Sequence, residues 1–483
     1  MIPTLRYAGE RVVVMGLGKS GLSAARSLRS SGAGVEVWDD QPASLAAGTA
    51  HGFAAFDGAG MNLNGVVALI WSPGVPHAYP QAHALAVKAR AANLPLVCDV
   101  DLLLEAQTDA AVIAITGTNG KSTTTALTAH IFRHAGRVTE VGGNLGIPAL
   151  DLEPLGRGGT YVLELSSYQL ELVPHLACET AVLLNITPDH LDRHGGMDKY
   201  IAAKRRIFAR QRHPRTAIIG VDDPHCRALY EALRSDGLHR VVPISVERAV
   251  GGGVYVTDGM LIDATGAAPS TIVDLRVAKS LPGAHNWQNA AAAAAVALAH
   301  GIPASAIAAG LKTFPGLSHR QELVAVVDHV SFINDSKATN ADAAEKALRC
   351  YRNIYWIAGG QAKAGGIGSL APLFAHIRHA FLIGEAAAAF AETLGGKVAF
   401  DLCRDMDAAI AAAGKMALAD NQPGATVLLS PACASFDMFK DFEDRGNAFR
   451  EAVLKLWPQT PRAPDAQSGD AQSGDSEPGR PRP

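Results

Sequence analysis

The sequence predicts an α/β protein with parallel sheets, divided into about three domains. Its 483 residues exceed the length of one domain, at roughly 150 residues each. Short apolar runs alternate with longer alanine- and leucine-rich stretches, which is the pattern of strands and helices in βαβ units. The pattern restarts three times after glycine-rich turns, near residues 16, 117 and 359. Each restart indicates a new sheet.

The composition excludes several classes of protein. Hydrophobic residues make up 48% of the chain and charged residues 18%, which is typical of large buried cores. The net charge of -3 predicts no nucleic-acid partner. The alanine run at 290–299 is too short to span a bilayer, which needs about 20 residues, and we expect no membrane insertion and no signal peptide. Six scattered cysteines without a CxxC pair favour a reducing, cytoplasmic compartment.

Proline and glycine mark the expected domain boundaries. Breaks fall at Asn93-Leu94-Pro95 and at Phe314-Pro315-Gly316. From residue 458 the chain is rich in Pro, Gln, Ser, Gly and Asp without apolar periodicity, which predicts a disordered tail. We therefore expect three domains and a tail, at residues 1–97, 98–315, 316–457 and 458–483.

The first glycine-rich turn, Gly16-Leu17-Gly18-Lys19-Ser20-Gly21, follows a strand-like run and opens a helix. Asp39 and Asp40 end the next strand, about 20 residues further on. In the dinucleotide-binding fingerprint, such glycines allow a tight turn, the helix amides meet phosphates and the acid meets a ribose. The pattern indicates a nucleotide phosphate, without separating NAD from another nucleotide. The alternative is a turn that binds nothing.

The second turn, Thr116 to Thr124, again joins an apolar strand to a helix. Gly120-Lys121-Ser122 matches the end of a P-loop, although Ile115 stands where a full Walker A motif has glycine. Lys121 can hold β- and γ-phosphate oxygens, and Ser122 can ligate Mg²⁺. The turn therefore predicts a nucleoside triphosphate site. The alternative is a polar helix cap with a solvent-facing lysine.

Polar residues follow the next two strands. Glu164 ends the first, where an acid near a P-loop is placed to hold magnesium, although alone it would simply cap the following helix. Asp189, His190 and Asp192 form a dense polar group after the second strand. Taken by itself, Lys204-Arg205-Arg206 is typical of a solvated helix face.

Further polar motifs occur later in the chain. Residues 283–289 are typical of a helix start whose amides can reach a base or ribose. Residues 334–340 place a lysine beside an acid and hydroxyls, which suits a phosphate or carboxylate ligand. The glycines of residues 359–366 predict a flexible loop with one cation. In the segment 430–435, Cys433 is more typical of a buried packing residue than of a nucleophile.

Together these motifs resemble the Mur ligases, in the same order along most of the chain except residues 458–483. The segments that carry the resemblance are 117–124, 164–167, 185–192, 285–286 and 334–340. Segments 16–21, 72–74, 141–146 and 430–435 are most similar to the members that add D-glutamate. The resemblance implies an ATP-dependent acid–amino-acid ligase of peptidoglycan synthesis, with cell-wall, cell-shape and cell-division roles. It would join D-glutamate to UDP-N-acetylmuramoyl-L-alanine through an acyl phosphate.

The resemblance also implies a Rossmann-like domain that binds the UDP substrate, a central P-loop-type ATPase domain and a C-terminal Rossmann-like domain that admits the amino acid. It implies a monomer that uses ATP and two Mg²⁺ ions. It aligns Lys204 with a carbamylated lysine, which replaces the solvated-face interpretation, because a carbamate supplies the anionic oxygens that Mg²⁺ prefers.

Residue roles are carried over position by position. The implied catalytic residues are Lys121, Glu164, His190, Lys204 and Arg320, with Ser122, Glu164, His190 and Lys204 serving the metals. The implied ATP contacts are Thr118, Asn119, Gly120, Lys121, Ser122, Thr123, Thr124, Asn286, Asn289, Arg320 and Asp335. The implied UDP-substrate contacts are Gly18, Lys19, Ser20, Asp39, Asp40, Gly74, Asn144, Gln169 and His190. Those for D-glutamate are Lys337, Thr339, Lys363, Ser435 and Phe442.

Three alternatives remain open on the sequence. The nearest is another ligase of this kind, such as an L-alanine-adding member or a folylpolyglutamate synthase. A nicotinamide-dependent oxidoreductase built on residues 16–21 would leave Gly120-Lys121-Ser122 unexplained. An ATP-switched binding protein would hydrolyse ATP slowly, whatever amino acid is added.

Overall fold

The structure is a computed structural model that describes residues 1–362 and 365–458. It divides into two compact units, residues 1–318 and the residues from 319 onward. Two β-sheets organise the first unit and one organises the second. The predicted α/β fold with parallel-rich sheets is confirmed. Lys363 and the tail beyond residue 458 lie outside the described residues.

The N-terminal sheet is parallel throughout. Its strands are β1 (Arg11–Met15), β2 (Gly34–Trp38), β3 (Ala54–Ala55), β4 (Val66–Trp71) and β5 (Leu96–Val97). Its helices are α1 (Lys19–Ser30), α2 (Pro42–Ala50), α3 (Ala84–Ala91) and α4 (Asp99–Ala106). The order β3-β2-β1-β4-β5 makes β1 the central strand. Val12, Val13 and Val14 are fully buried, as expected for branched side chains in a strand covered on both faces.

The central sheet has nine strands. They are β6 (Ala111–Thr116), β7 (Thr139–Gly143), β8 (Thr160–Glu164), β9 (Thr180–Leu183), β10 (Thr216–Gly220), β11 (Arg240–Ser245), β12 (Val254–Thr257), β13 (Met260–Asp263) and β14 (Ser270–Asp274). The order is β14-β13-β12-β11-β10-β9-β6-β8-β7, and the pairing is parallel except at β13, which is antiparallel to both of its neighbours. Because β6 lies between β8 and β9, the loops after these three strands meet at one edge of the sheet.

Seven helices connect or cover the central sheet. They are α5 (Lys121–His134), α6 (Ser167–Leu170), α7 (Leu191–His194), α8 (Met197–Arg205), α9 (Pro224–Asp236), α10 (Ala284–Ala299) and α11 (Ala304–Thr313). The alanine run lies in α10, where residues 290–297 are buried and the helix packs against α5. Small side chains let the two helices approach closely. No described helix is both long and apolar enough to cross a bilayer.

The described part of the second unit contains six strands and four α-helices. The strands are β15 (Glu322–Val327), β16 (Val330–Asn334), β17 (Ile354–Gly359), β18 (Ile377–Ile383), β19 (Phe400–Leu402) and β20 (Thr426–Leu429). The helices are α12 (Ala341–Cys350), α13 (Ala387–Leu394), α14 (Met406–Asp420) and α15 (Phe442–Leu456). The order is β15-β16-β20-β17-β18-β19, parallel except for the β15–β16 hairpin. The loops after β16, β20 and β17 therefore share one edge.

Candidate active site

The turn between β6 and α5 has the conformation that a phosphate-binding loop requires. Gly120 has a φ of 84°, and a Cβ at this position would lie 2.2 Å from Asn289 Oδ1. Only glycine meets both conditions without strain. Asn289 is 2% exposed and accepts a hydrogen bond from Thr124 Oγ1 at 3.1 Å. Asn286 lies one turn earlier in α10 and accepts from Asn289 Nδ2. These two asparagines thus support the loop from the first turns of α10.

The residues that follow β9 hydrogen-bond to the same loop. Asn119 N donates to Asn185 Oδ1 at 2.8 Å, and Thr118 N donates to Asn185 O at 2.9 Å. Thr118 Oγ1 lies 2.9 Å from the Tyr200 hydroxyl and donates to Thr187 O. The loop that follows β9 therefore holds the turn after β6. The sequence pattern marked residues 185–192 as polar but did not assign this role to Asn185 or Tyr200.

Two lysines meet at one carbonyl oxygen of the loop. Lys121 Nζ donates to Gly117 O at 3.0 Å, and Lys204 Nζ donates to the same oxygen at 2.8 Å. Lys204 is 1% exposed, so its interpretation as part of a solvated face is wrong, although Arg205 and Arg206 are exposed. Burial and then the nearby charge of Lys121 lower the pKa of Lys204 to about 7. A substantial share of the Lys204 amine is therefore uncharged near neutral pH.

Glu164 ends β8 directly beside the loop. Its Oε1 accepts from Asn144 Nδ2 at 2.6 Å, and its backbone pairs with β6 at Ile115. The side chain is 1% exposed, and Oε2 is buried without a hydrogen-bond partner among the described residues. A buried carboxylate oxygen without a donor is costly unless a cation or ligand completes it. This oxygen is the observation that favours a metal here.

A magnesium ion fits these residues in one particular way. Within the described residues there is no group of three His, Cys, Asp or Glu side chains suited to a metal. Mg²⁺ is ordinarily bound by one or two carboxylates together with substrate phosphates and water. Glu164 beside the loop, with Ser122 at the start of α5, matches that arrangement. These donors favour a metal ion that binds together with a nucleotide over a site whose ligands all come from the protein.

His190 lies at the start of α7, above an aromatic side chain. Its backbone has a φ of 52°, and its ring lies 5.2 Å from the ring of Tyr168. Its Nε2 lies 3.4 Å from Asp189 Oδ2, and the imidazole is half exposed. The ring can therefore reach a ligand at the edge where β6, β8 and β9 end.

The first glycine-rich turn has the expected helix start, with Gly18 as the N-cap of α1 and an exposed Lys19. Asp39 Oδ2 accepts from Leu17 N at 2.7 Å, so this carboxylate stabilises the turn itself. Asp40 is exposed and lies 3.1 Å from His83 Nε2. Ser20 lines a small cleft together with Ser72, Pro73 and Asp99, among others. Contacts of Asp39 and Asp40 with a nucleotide remain predictions.

Arg193 joins the two sheets of the first unit near this cleft. Its guanidinium is buried, lies 4.9 Å from the centre of the Tyr168 ring and donates to Val75 O at 3.0 Å and Tyr79 O at 3.2 Å. Gly74, one of the implied substrate contacts, lies exposed in the loop that Arg193 holds. The sequence did not single out this arginine, because its partners are backbone atoms more than 100 residues away.

Glu171 forms a second link that the sequence did not reveal. Its two carboxylate oxygens lie 3.1 Å from His77 Nε2 and 3.3 Å from His194 Nδ1. Burial raises the pKa of Glu171, but the hydrogen bonds from His194 and His77 outweigh burial and lower it to about 2. The other nitrogen of His194 lies 2.9 Å from Ser167 Oγ. Gln169 in the same segment closes a capping box with Ser166.

The second unit gathers the remaining implied residues around the ends of β16 and β20. Asp335 is buried and accepts from Ser430 Oγ at 2.8 Å and from Gln321 N at 3.2 Å. Burial raises its pKa to about 7 despite those bonds. Lys337 Nζ lies 3.5 Å from the centre of the Phe442 ring. Thr339 is half-buried, Ser435 is buried and Arg320 is exposed.

The predicted packing role of Cys433 agrees with the structure. Its side chain is fully buried, and burial raises the pKa of its thiol to about 12. A thiol in that state is a poor nucleophile. None of the six cysteines, which all lie in the described residues, forms a disulfide bond.

Comparison with known proteins gives the family. The model of the Mur ligase middle domain matches residues 115–297, and that of the Mur ligase glutamate ligase domain matches residues 319–433. A UDP-N-acetylmuramoylalanine--D-glutamate ligase of Rhodospirillum rubrum is 54% identical over 464 residues, covering 94% of this chain and 97% of the relative. The ligase of the same name from Paramagnetospirillum magneticum is 55% identical over 452 residues, with the same shares covered.

Solved structures agree at the level of the fold. A UDP-N-acetylmuramate-alanine ligase from Thermotoga maritima has a TM-score of 0.55 at 17% identity, covering 92% of this chain and 99% of that chain. A UDP-N-acetylmuramoyl-L-alanyl-D-glutamate--2,6-diaminopimelate ligase has a TM-score of 0.56 at 17% identity, with 95% of each chain covered. The three-domain architecture of that fold is therefore present here. By its motifs, its sheets and these relatives, the chain belongs to the Mur ligase family.

Proposed function

We propose that the protein joins D-glutamate to UDP-N-acetylmuramoyl-L-alanine with ATP, in the synthesis of a peptidoglycan precursor. The observation that carries the proposal is the edge where β6, β8 and β9 end. There a P-loop, two lysine amines that share one carbonyl oxygen and a carboxylate with an unpartnered oxygen belong to one cluster. The relatives that match along 94% of the chain are named for this reaction.

ATP supplies the leaving group that a carboxylate lacks. The substrate carboxylate attacks the γ-phosphorus of ATP, ADP leaves, and an acyl phosphate forms. The amine of D-glutamate then attacks the acyl carbon, a tetrahedral intermediate collapses, and inorganic phosphate leaves with the amide in place. The amine of D-glutamate loses one proton when its nitrogen forms the amide, so every atom of the two steps is accounted for.

Residues of the first unit bind and neutralise the triphosphate. The exposed amides at the start of α5 and the ammonium of Lys121 bind phosphate oxygens. Bound Mg²⁺ neutralises charge on the transferring phosphoryl group. Ser122, Glu164 and His190 would hold the two ions expected for this family, and Asn286 and Asn289 would support the nucleotide side of the loop. In the second unit Arg320 and Asp335 would contribute to nucleotide binding.

Lys204 acts as a carbamate in this proposal. An uncharged amine attacks carbon dioxide and loses one proton, giving a carbamate with two anionic oxygens. The pKa of about 7 supports the step, because near neutral pH a substantial share of the amine is uncharged. The carbamate would join Glu164 as an oxygen ligand for a divalent ion.

D-Glutamate would bind in the second unit at the ends of β16 and β20. Lys337, Thr339, Ser435 and Phe442 lie in the segments that follow these strands or in the first turn of α15. Lys337 offers a cation for a carboxylate, and Ser435 offers a hydroxyl. Lys363 belongs to the proposal on the resemblance alone. The UDP substrate would meet Gly18, Lys19, Ser20, Asp39, Asp40, Gly74, Asn144, Gln169 and His190.

The protein would work in the cytoplasm, which the six free cysteines support. That it is a monomer remains a prediction.

A phosphate-release assay tests the proposal directly. The purified protein is incubated with ATP, Mg²⁺ and UDP-N-acetylmuramoyl-L-alanine, and candidate amino acids are added one at a time. We expect release that depends on D-glutamate and on the UDP substrate together. Release with L-alanine and UDP-N-acetylmuramate would favour another member of the family. Slow release whatever amino acid is added would favour an ATP-switched binding protein.

A further inference from the structure

We propose that Arg445 is a positioning residue that locks the loops of the D-glutamate site into one arrangement. The inference rests on the proposed function, because it assumes that D-glutamate binds where the loops after β16 and β20 meet. Arg445 belongs to the first full turn of α15, and its side chain is 1% exposed. The acceptors of its guanidinium all lie beside the implied D-glutamate residues, so we expect its effect to fall on binding of the amino acid.

The guanidinium of Arg445 binds both loops at the same time. Nε donates to Ser336 Oγ at 3.0 Å, and Nη2 donates to Ser336 O at 2.8 Å. Nη2 also donates to Cys433 O at 3.1 Å, and Nη1 donates to Ala434 O at 3.2 Å. The planar fork of arginine suits several acceptors in fixed directions, which a lysine ammonium does not reproduce.

Ser336 extends this connection to the helix that carries Arg445. Its hydroxyl donates to Phe442 O at 2.7 Å. Ser336 precedes Lys337, Ala434 precedes Ser435, and Phe442 opens α15. The guanidinium and the Ser336 hydroxyl that it binds therefore hold three of the implied D-glutamate residues. Lys337 and Ser435 are held through the residue before each, and Phe442 is held through its own carbonyl.

The loop after β17 also hydrogen-bonds to the carbonyl of Ala434. Gln361 N donates to Ala434 O at 3.0 Å, the oxygen that also accepts from Arg445. A Cβ at Gly360 would lie 2.4 Å from Ala434 O and 3.2 Å from Arg445 Nη1. The glycine therefore leaves the room that the guanidinium occupies.

The charge of Arg445 is not explained by stability alone. All four of its acceptors are neutral, and none of the ion pairs among the described residues includes it. The amino end of a helix disfavours a cation, and burial lowers the pKa of this guanidinium to about 10, which the nearby charge of Asp437 offsets only in part. A buried charge with neutral partners is unfavourable for folding but favours an anionic ligand nearby. The two carboxylates of D-glutamate supply that negative charge.

The hydrogen bonds also set the direction of one peptide group. In a trans peptide the carbonyl of Ala434 and the N–H of Ser435 point in opposite directions. Because the carbonyl points to Arg445, the N–H points away from it, and this N–H makes no hydrogen bond within the described residues. A peptide whose carbonyl accepts from a cation is the stronger donor at its N–H. Arg445 thus prepares a donor at Ser435.

Steady-state kinetics of Arg445→Lys test the inference. We expect the KM for D-glutamate to rise ~10-fold or more, as for loss of charged hydrogen bonds, with the KM for ATP within about twofold of wild type. Arg450→Lys is the matched control, since Arg450 lies on the same helix and pairs with Glu322 without touching these loops. It should leave all KM values unchanged. Ser336→Ala, which keeps the guanidinium, should raise the D-glutamate KM to a smaller degree.

The outcomes separate the inference from the proposed function. If wild type ligates D-glutamate and Arg445→Lys changes no KM, or raises all of them equally, Arg445 is not a positioning residue for the amino acid. If wild type does not ligate D-glutamate at all, the proposed function itself fails. Should Arg445→Lys not fold, an unchanged D-glutamate KM in Ser336→Ala overturns the inference.

Discussion

Lys121 and Lys204 lie 83 residues apart in the sequence and donate to the same carbonyl oxygen, that of Gly117. Two ammonium groups at one oxygen would repel each other, and burial together with this repulsion keeps Lys204 at a lowered pKa. In the proposed mechanism, Lys121 would neutralise phosphate charge and Lys204 would form a carbamate.

Replacement of Lys121 by alanine should remove turnover and leave the fold intact. The ammonium neutralises phosphate charge in the transition state, and loss of such a contact lowers kcat by ~100-fold or more. Phosphate release and far-UV circular dichroism measure the two effects. Lys312→Ala, an exposed lysine in α11, is the control and should keep wild-type activity. Normal ligation by Lys121→Ala would contradict its assignment.

Replacement of Lys204 by alanine should be rescued in part by a short carboxylic acid. The added carboxylate would occupy the space of the carbamate and restore an anionic oxygen. Activity of the wild type should also fall when bicarbonate is removed and recover when it is returned. It should rise with pH through about 7, where the amine loses its proton. Lys121→Ala is the control and should not be rescued. Indifference to both treatments would remove the carbamate from the mechanism.

At the scale of elements, α5 offers an internal comparison because glycine lies at both of its ends. Gly120 has a φ of 84°, and Gly136 has a φ of 76°, so both positions penalise alanine by about 1 kcal/mol or more. They differ in surroundings. A Cβ at Gly120 meets Asn289 Oδ1 at 2.2 Å, whereas a Cβ at Gly136 meets no atom within 4 Å.

Gly120→Ala should therefore raise the KM for ATP by ~10-fold or more, because the loop must shift to relieve the contact. Gly136→Ala should lower stability by a similar backbone strain and leave the KM for ATP unchanged. Thermal unfolding and ATP-dependent kinetics of both variants make the measurement. Equal KM values in the two variants would show that the loop does not depend on the fit between Gly120 and Asn289.

The elements themselves follow closely from local sequence. The branched run at 112–115 predicts a buried central strand, and the structure contains β6 there. The rule that parallel strands present ligands at their carboxyl ends also predicted that the P-loop, Glu164 and residues 185–190 would share one edge. Lys204 was different. Its burial depends on a carbonyl 87 residues away, and no local pattern in α8 distinguishes it from the exposed Arg205.

Arg445 and Arg193 were missed for a related reason. Both are buried arginines whose partners are mostly main-chain carbonyls. A carbonyl is present at every residue, so no side-chain motif marks such a partner in a sequence. The resemblance to a family identified candidate ligand residues, but it did not identify the residues that hold them in place.

At the scale of the whole first unit, Glu171 connects the two sheets through His77 and His194. The pKa of Glu171 is about 2 in the folded protein, below its ordinary value of 4.5. A carboxyl with a depressed folded pKa contributes stability above its unfolded pKa and loses it as pH falls through the folded value. The shift corresponds to about 3 kcal/mol at most near neutral pH. The link should therefore weaken between about pH 4.5 and pH 2.

Glu171→Gln should lower the free energy of unfolding more at pH 7 than near pH 3. At pH 7 the variant loses charged hydrogen bonds to both histidines. At pH 3 the folded wild type still carries its carboxylate, because its pKa is about 2, but the unfolded chain binds a proton there, so the carboxylate contributes less stability. Urea denaturation at the two pH values measures the difference. Glu231→Gln, an exposed residue in α9, is the control and should show little change at either pH. An equal effect of Glu171→Gln at both pH values would contradict the depressed pKa.

The central claim is that the chain activates a carboxylate with ATP before an amine attacks it. Transfer of oxygen isotope tests that claim most directly. UDP-N-acetylmuramoyl-L-alanine carrying ¹⁸O in both oxygens of its terminal carboxylate is ligated with ATP and D-glutamate, and the released phosphate is analysed by mass spectrometry. The account predicts that each phosphate gains one ¹⁸O atom while the other remains in the new amide. Amide formation with unlabelled phosphate would contradict it.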